Sequence, residues 1–247
     1  MFFPAVNSSS KPAAYFRFPF RSQTRRKRAM KLLSLCLALL VALPIHAAPE
    51  KWEKDIAAYE AADAKQAPPK GGIVFIGSSS IRMWKTLKAD FPNHPVINRG
   101  FGGSQIEDST HFADRLIFPH EPKLIVMYAG GNDLNAKKTP DQVVADFQAF
   151  VAKVRSKLPD TEIAYISVAG NPARWAQLEK VKEVNRRIEE ITKADPKLKF
   201  IDVFTAMLGD DGQPKPDIFL PDRLHMNEKG YAIWKEVVLP FLPPAKQ

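Results

Sequence analysis

The sequence holds one cysteine in 247 residues, Cys36, and it lies inside an apolar run near the start. That scarcity excludes a disulfide framework, a thiolate metal site and, once the run is removed, any thiol nucleophile. No His-Glu-x-x-His motif or carboxylate–histidine cluster offers a zinc site, so neither metal chemistry nor a resident cofactor is expected. No Gly-Lys-Ser/Thr follows the Gly/Ser stretch at 77–80, which removes the phosphate-loop reading of it. Acidic residues are missing from positions 1–47, where eight Lys and Arg fall. Of the net charge of +9, only +1 therefore belongs to residues 48–247, and the basicity gives no support for a nucleic-acid partner. No apolar run reaches the length of about 18 residues wanted for a membrane span.

What the start contains instead is the pattern of an export leader. Arg25-Arg26-Lys27-Arg28 and Lys31 precede the apolar run Leu32–Ile45, and His46-Ala47-Ala48 follows. A basic region, an apolar core and a small residue at the cleavage point make a secretory signal peptide, with cleavage expected after Ala47. A retained anchor is the alternative. Met30-Lys31 is an ordinary start for such a leader, so residues 1–29 read as superfluous or as a longer basic region. Cys36 follows Leu35 rather than a small residue, which disfavours lipidation. The expected product, 48–247, is long enough for one domain with a full core, in the periplasm or outside the cell.

Five short apolar runs alternate with helix-like segments: Ile73–Ile76, Val96–Asn98, Leu124–Tyr128, Ile163–Val168 and Phe200–Val203. Val143, Val144, Phe147, Phe150, Val151 and Val154 recur at helical spacing, as do Leu178, Val181, Val184, Ile188 and Ile191. Trp52, Ile56 and Tyr59 mark a helix before the first strand, and Tyr231, Ile233, Trp234, Val237 and Val238 one after the last. The alternation predicts βαβ units: a three-layer α/β/α sandwich on a parallel sheet of about five strands. Ligands of such sheets bind beyond the carboxyl ends of the strands. The loops to read are therefore those at Gly77-Ser78-Ser79-Ser80, Gly100–Ser104, Gly130-Gly131-Asn132-Asp133, Ala169-Gly170-Asn171 and the stretch ending in Asp222-Arg223-Leu224-His225.

A serine hydroxyl is a weak nucleophile without a base in hydrogen-bond reach. Ser78, Ser79 and Ser80 all stand at a strand end, and each is equally suited to capping a helix. His94, His111 and His120 read as structural. His225 differs, because Asp222 stands three residues before it and can fix the imidazole tautomer, leaving Nε2 to take a serine proton. A turn aspartate beside a helix neighbour explains the same pair. Gly103 and Asn132 offer a backbone N–H and a side-chain amide to an oxyanion, although a tight turn and a cap account for them singly.

Together, in chain order, these pieces resemble the SGNH hydrolase superfamily, the GDSL-type esterases, lipases and acylhydrolases. The first block resembles FIGSSSI at Phe75–Ile81, the second NRGFGGSQ at Asn98–Gln105, the third Gly130-Gly131-Asn132-Asp133, and the last DRLHMNEKGY at Asp222–Tyr231. The resemblance implies the flavodoxin-like fold of that superfamily. It also implies Ser79 as nucleophile, His225 as base, Asp222 as its orienting acid, and Ser79 N–H, Gly103 N–H and the Asn132 amide as oxyanion donors. Ser78 and Ser80 replace the family's usual Asp and Leu around the nucleophile. The implied activity is ester hydrolysis, expected on short-acyl or O-acetyl esters, with a small ester or acylated carbohydrate as substrate. An O-acyltransferase using the same groups and a non-catalytic glycan binder are the alternatives. Phe101, Arg174, Trp175 and Phe219 lie near the reactive edge and are expected to line the substrate groove, with a core role the alternative for Trp175.

Overall fold

The computed structural model describes residues 49–244; the expected leader and its cleavage point lie outside the described residues. Five strands form one parallel sheet: β1 (Ile73–Gly77), β2 (Val96–Gly100), β3 (Leu124–Tyr128), β4 (Glu162–Ile166) and β5 (Leu198–Ile201). Their order is β2-β1-β3-β4-β5. β1 lies between β2 and β3, pairing Ile73 with both Val96 and Leu124, so that Gly77 ends level with Gly100 and Tyr128. The order reverses between β1 and β3, and a crevice at such a reversal is where doubly wound sheets bind ligands.

The sheet is apolar on both sides because helices cover both. Val74, Ile76, Ile125, Met127, Ile163 and Tyr165 face one layer, built from Trp52, Ile56 and the helices Ile106–His111, Pro140–Lys157 and Leu178–Lys193. Phe75, Val126, Tyr128, Ala164, Ile166 and Ile201 face the other, against Trp84, Phe91, Met207, Trp234 and Val238. In Pro140–Lys157 the expected apolar face is buried through Val143, Val144, Phe147, Phe150 and Val154. Thr139 caps that helix: its hydroxyl accepts from Gln142 N–H at 3.3 Å, and Gln142 returns a carbonyl to Thr139 N–H at 2.8 Å.

Several boundaries differ from the sequence reading: β1 and β2 extend to Gly77 and Gly100, and the fourth strand, expected at Ile163–Val168, runs from Glu162 to Ile166. The fifth strand was expected at Phe200–Val203 and runs from Leu198 to Ile201. Asp202 ends it, because its carboxylate accepts Thr205 N–H at 3.0 Å and starts a helical turn at Val203. Among the described residues no helix is long and apolar enough to cross a membrane.

Candidate active site

β1 stops at a glycine for a steric reason. Gly77 has φ +136°, and a Cβ there would sit 1.9 Å from the Tyr128 carbonyl oxygen. That close approach brings Ser78 N–H onto the same carbonyl at 3.0 Å and turns the chain directly into the helix Ser79–Arg82. Ser79 is its first residue, so its N–H has no acceptor within the helix. Ser78 holds the N-cap position, yet its side chain makes no cap hydrogen bond. Beside it, burial raises the Tyr128 phenol, which lies against the Ser80 hydroxyl and the Ala169 backbone. Of the three serines, Ser79 alone meets the imidazole.

That imidazole comes from a closed loop before the C-terminal helix. Leu220 N–H donates to the His225 carbonyl at 2.7 Å, and Asn227 N–H to the Ile218 carbonyl at 3.0 Å. Asn227 then caps Glu228–Val238 by accepting from Lys229 N–H and Gly230 N–H. Within the loop, Asp222 Oδ1 accepts the backbone N–H groups of Leu224 and His225, both at 2.9 Å. Its Oδ2 lies 2.6 Å from His225 Nδ1, and His225 Nε2 lies 2.9 Å from Ser79 Oγ. The hydrogen bond from His225 and those backbone donors hold the Asp222 carboxyl down at about 2. An ionised carboxylate only accepts, so Nδ1 carries the imidazole proton and Nε2 is left to accept from the Ser79 hydroxyl.

The two remaining strand ends are tied to each other. Asn132 Nδ2 donates to the Ser104 carbonyl at 2.9 Å, and Arg174 Nη1 donates to Asn132 Oδ1 and to the Gly131 carbonyl, both at 3.0 Å. One amide N–H of Asn132 remains uncommitted by this arrangement. Asp133, fully buried, accepts Gly130 N–H at 3.0 Å and Ile106 N–H at 3.2 Å, with Lys138 Nζ 3.6 Å away. Gly103 sits exposed on the second loop with φ +77°. Burial pushes the carboxyls of Asp108 and Asp133 up to about 6.

Residues 77–233 match the GDSL-like Lipase/Acylhydrolase family. The chain belongs to that family. Three solved structures share its fold. A protein from Streptococcus pneumonia named for platelet activating factor has TM-score 0.69 at 21% identity, covering 87% of this chain and 98% of that one. A GDSL-like lipase from Bacteroides thetaiotaomicron has TM-score 0.65 at 21% identity, with 76% and 96% covered. A catalytic mutant of an acetylxylan esterase from Geobacillus stearothermophilus has TM-score 0.56 at 15% identity, with 70% and 94% covered. No curated protein matches the sequence.

In this GDSL-like chain, Ser79, Asn132, Arg174, Phe219 and His225 line one cleft, together with Tyr128, Met207 and Trp234. Asp222 stands behind His225, and Gly103 stands on the loop that receives Asn132. Trp175 lines an adjoining recess whose shared wall is Phe219. Phe101 does not line the groove expected of it. It is fully buried, with Trp52 edge-on at 5.7 Å and Phe112 edge-on at 5.7 Å, because the chain beyond β2 turns its side chain into the core. Arg174 reaches the cleft as expected, but its hydrogen bonds go to Asn132 and Gly131. Tyr128 and Trp234 read in the sequence only as apolar strand and helix residues, and nothing there singles out Met207.

Proposed function

We propose that the protein is a serine esterase acting on short-acyl or O-acetyl esters through an acyl-enzyme on Ser79. The observation that carries this reading is the continuous hydrogen-bonded row Asp222–His225–Ser79. His225 Nε2 takes the Ser79 proton as Oγ attacks the ester carbonyl. Ser79 N–H, Gly103 N–H and the free N–H of Asn132 receive the developing oxyanion, an arrangement in which one donor is typically worth about 10²–10³ in rate. The tetrahedral intermediate collapses, His225 gives the proton to the leaving alkoxide, and the alcohol departs. Water then attacks the acyl-serine, losing its proton to His225; the second tetrahedral intermediate expels Ser79 Oγ, which takes that proton back from His225, and the carboxylic acid is released.

Two observations favour a small acyl group and a bulkier alcohol. Free space at the row is only about 30 Å³, room for a few water molecules, between the walls of Tyr128, Met207 and Trp234. Beyond Phe219 the recess opens to about 230 Å³ among Trp175, Pro172, Pro216, Gln213 and Arg223, an aromatic and polar lining suited to a sugar ring. The acetylxylan esterase that shares the fold points the same way. We further propose export, with cleavage after Ala47, to the periplasm or the exterior.

Turnover of p-nitrophenyl esters of graded length tests the reading. Acetyl and propionyl esters are expected to be turned over fastest, with acetate released from acetylated xylan in the absence of any acceptor. Rates that rise with chain length would overturn the short-acyl assignment, and acetyl transfer that requires an acceptor sugar would make the protein a transferase.

A further inference from the structure

The Gly102 carbonyl accepts the indole N–H of Trp52 at 2.9 Å. The N–H at the other end of that same peptide unit belongs to Gly103, a proposed oxyanion donor. We propose that Trp52 is a positioning residue of the oxyanion hole, holding the Gly102–Gly103 peptide plane so that Gly103 N–H stays turned toward the reacting carbonyl. This inference rests on the Ser79 esterase reading above.

A peptide between two glycines is the kind that flips readily, and Gly103 already sits at φ +77°. A flip would aim a carbonyl, not an N–H, at the oxyanion. Holding the carbonyl opposes that flip, and a hydrogen bond at the carbonyl also polarises the N–H of the same peptide. The holding group is itself rigid. Trp52 is 5% exposed, packs edge-on against Phe101, and leads directly into α1 (Glu53–Lys65). α1 is fixed to β2 at two further points: Tyr59 Oη donates to the Gly100 carbonyl at 2.7 Å, and Asp63 pairs with the buried Arg99 at 2.6 Å. All of these contacts come from Trp52 and the helix that follows it, which precede residue 77, where the family match begins. Tyr59 serves as an internal comparison. It tethers the end of β2, just before the loop of Gly102 and Gly103, from the helix that follows Trp52, but the peptide it bonds has its N–H, on Phe101, already committed to the Gly77 carbonyl at 2.9 Å.

The test compares Trp52→Phe, Tyr59→Phe and Ser79→Ala in the full chain, using p-nitrophenyl acetate and benzeneboronic acid, which forms a tetrahedral adduct on an active serine. Trp52→Phe is expected to lower kcat about tenfold, below the cost of losing a donor outright, and to weaken the boronate by a similar factor. KM should stay within about twofold, the pattern of an interaction made in the transition state. Tyr59→Phe should lower the unfolding temperature while leaving kcat and boronate affinity unchanged. Unchanged kcat in folded Trp52→Phe beside an inactive Ser79→Ala would overturn the positioning role alone. So would equal kcat losses in Trp52→Phe and Tyr59→Phe, which signify general support of the loop. An active Ser79→Ala would overturn the esterase reading and the inference with it.

Discussion

At the scale of the residue, the site depends on which atoms are already committed. Asp222 accepts two backbone N–H groups with one oxygen and the imidazole with the other, so its position is fixed before any substrate binds. Its carboxyl is held at about 2, below the ordinary aspartate range. A lowered carboxyl contributes to the folded state above its unfolded value, and that contribution fades only as the pH falls toward 2. Loss of activity on acidification above pH 3 is therefore not expected to come from protonation of Asp222. Asp222→Asn preserves the shape but can offer an N–H to Nδ1, favouring the wrong tautomer. It is expected to reduce kcat by about 10²–10⁴ with little change in unfolding temperature, as read by steady-state kinetics and thermal melts. The Asp222–His225 spacing was legible in the sequence because three residues of one loop supply the contact. Trp52 was legible only as an apolar helix position, because its partner carbonyl lies 50 residues away.

At the scale of the element, the loops after β2 and β3 behave as one unit through Asn132 to Ser104 and Asp133 to Ile106. Their buried carboxyls, Asp108 and Asp133, are raised to about 6 by desolvation. For a raised carboxyl the stabilising contribution is present below the unfolded value and is lost as pH climbs through the folded one. Stability from this pair should thus decline as pH rises from about 4 to about 6, opposite in sign to Asp222. Urea unfolding across that range should show a shallower decline in Asp108→Asn; an unchanged slope would contradict it. The helical faces were readable because periodicity reports burial directly. The start of β5 was not, because Leu198 and Lys199 lack the continuous apolar pattern and Asp202 reads as a strand residue until its cap to Thr205 is seen.

At the scale of the whole molecule, alternating strands and helices were enough to predict the parallel sheet and the edge on which its loops gather. Which serine of the triplet meets His225 was beyond that pattern, since all three occupy the same strand end and only the turn at Gly77 separates them. Phe101 was misplaced for a similar reason: proximity to the reactive edge in sequence does not tell which way a side chain turns at the end of a strand. The proposed nucleophile of this GDSL-like chain is Ser79. The most direct measurement is peptide mapping by mass spectrometry after treatment with a fluorophosphonate, which phosphonylates an activated serine and releases fluoride. A single adduct on Ser79, absent in His225→Ala, is the predicted result. An adduct on Ser78 or Ser80, or no serine adduct at all, would contradict it.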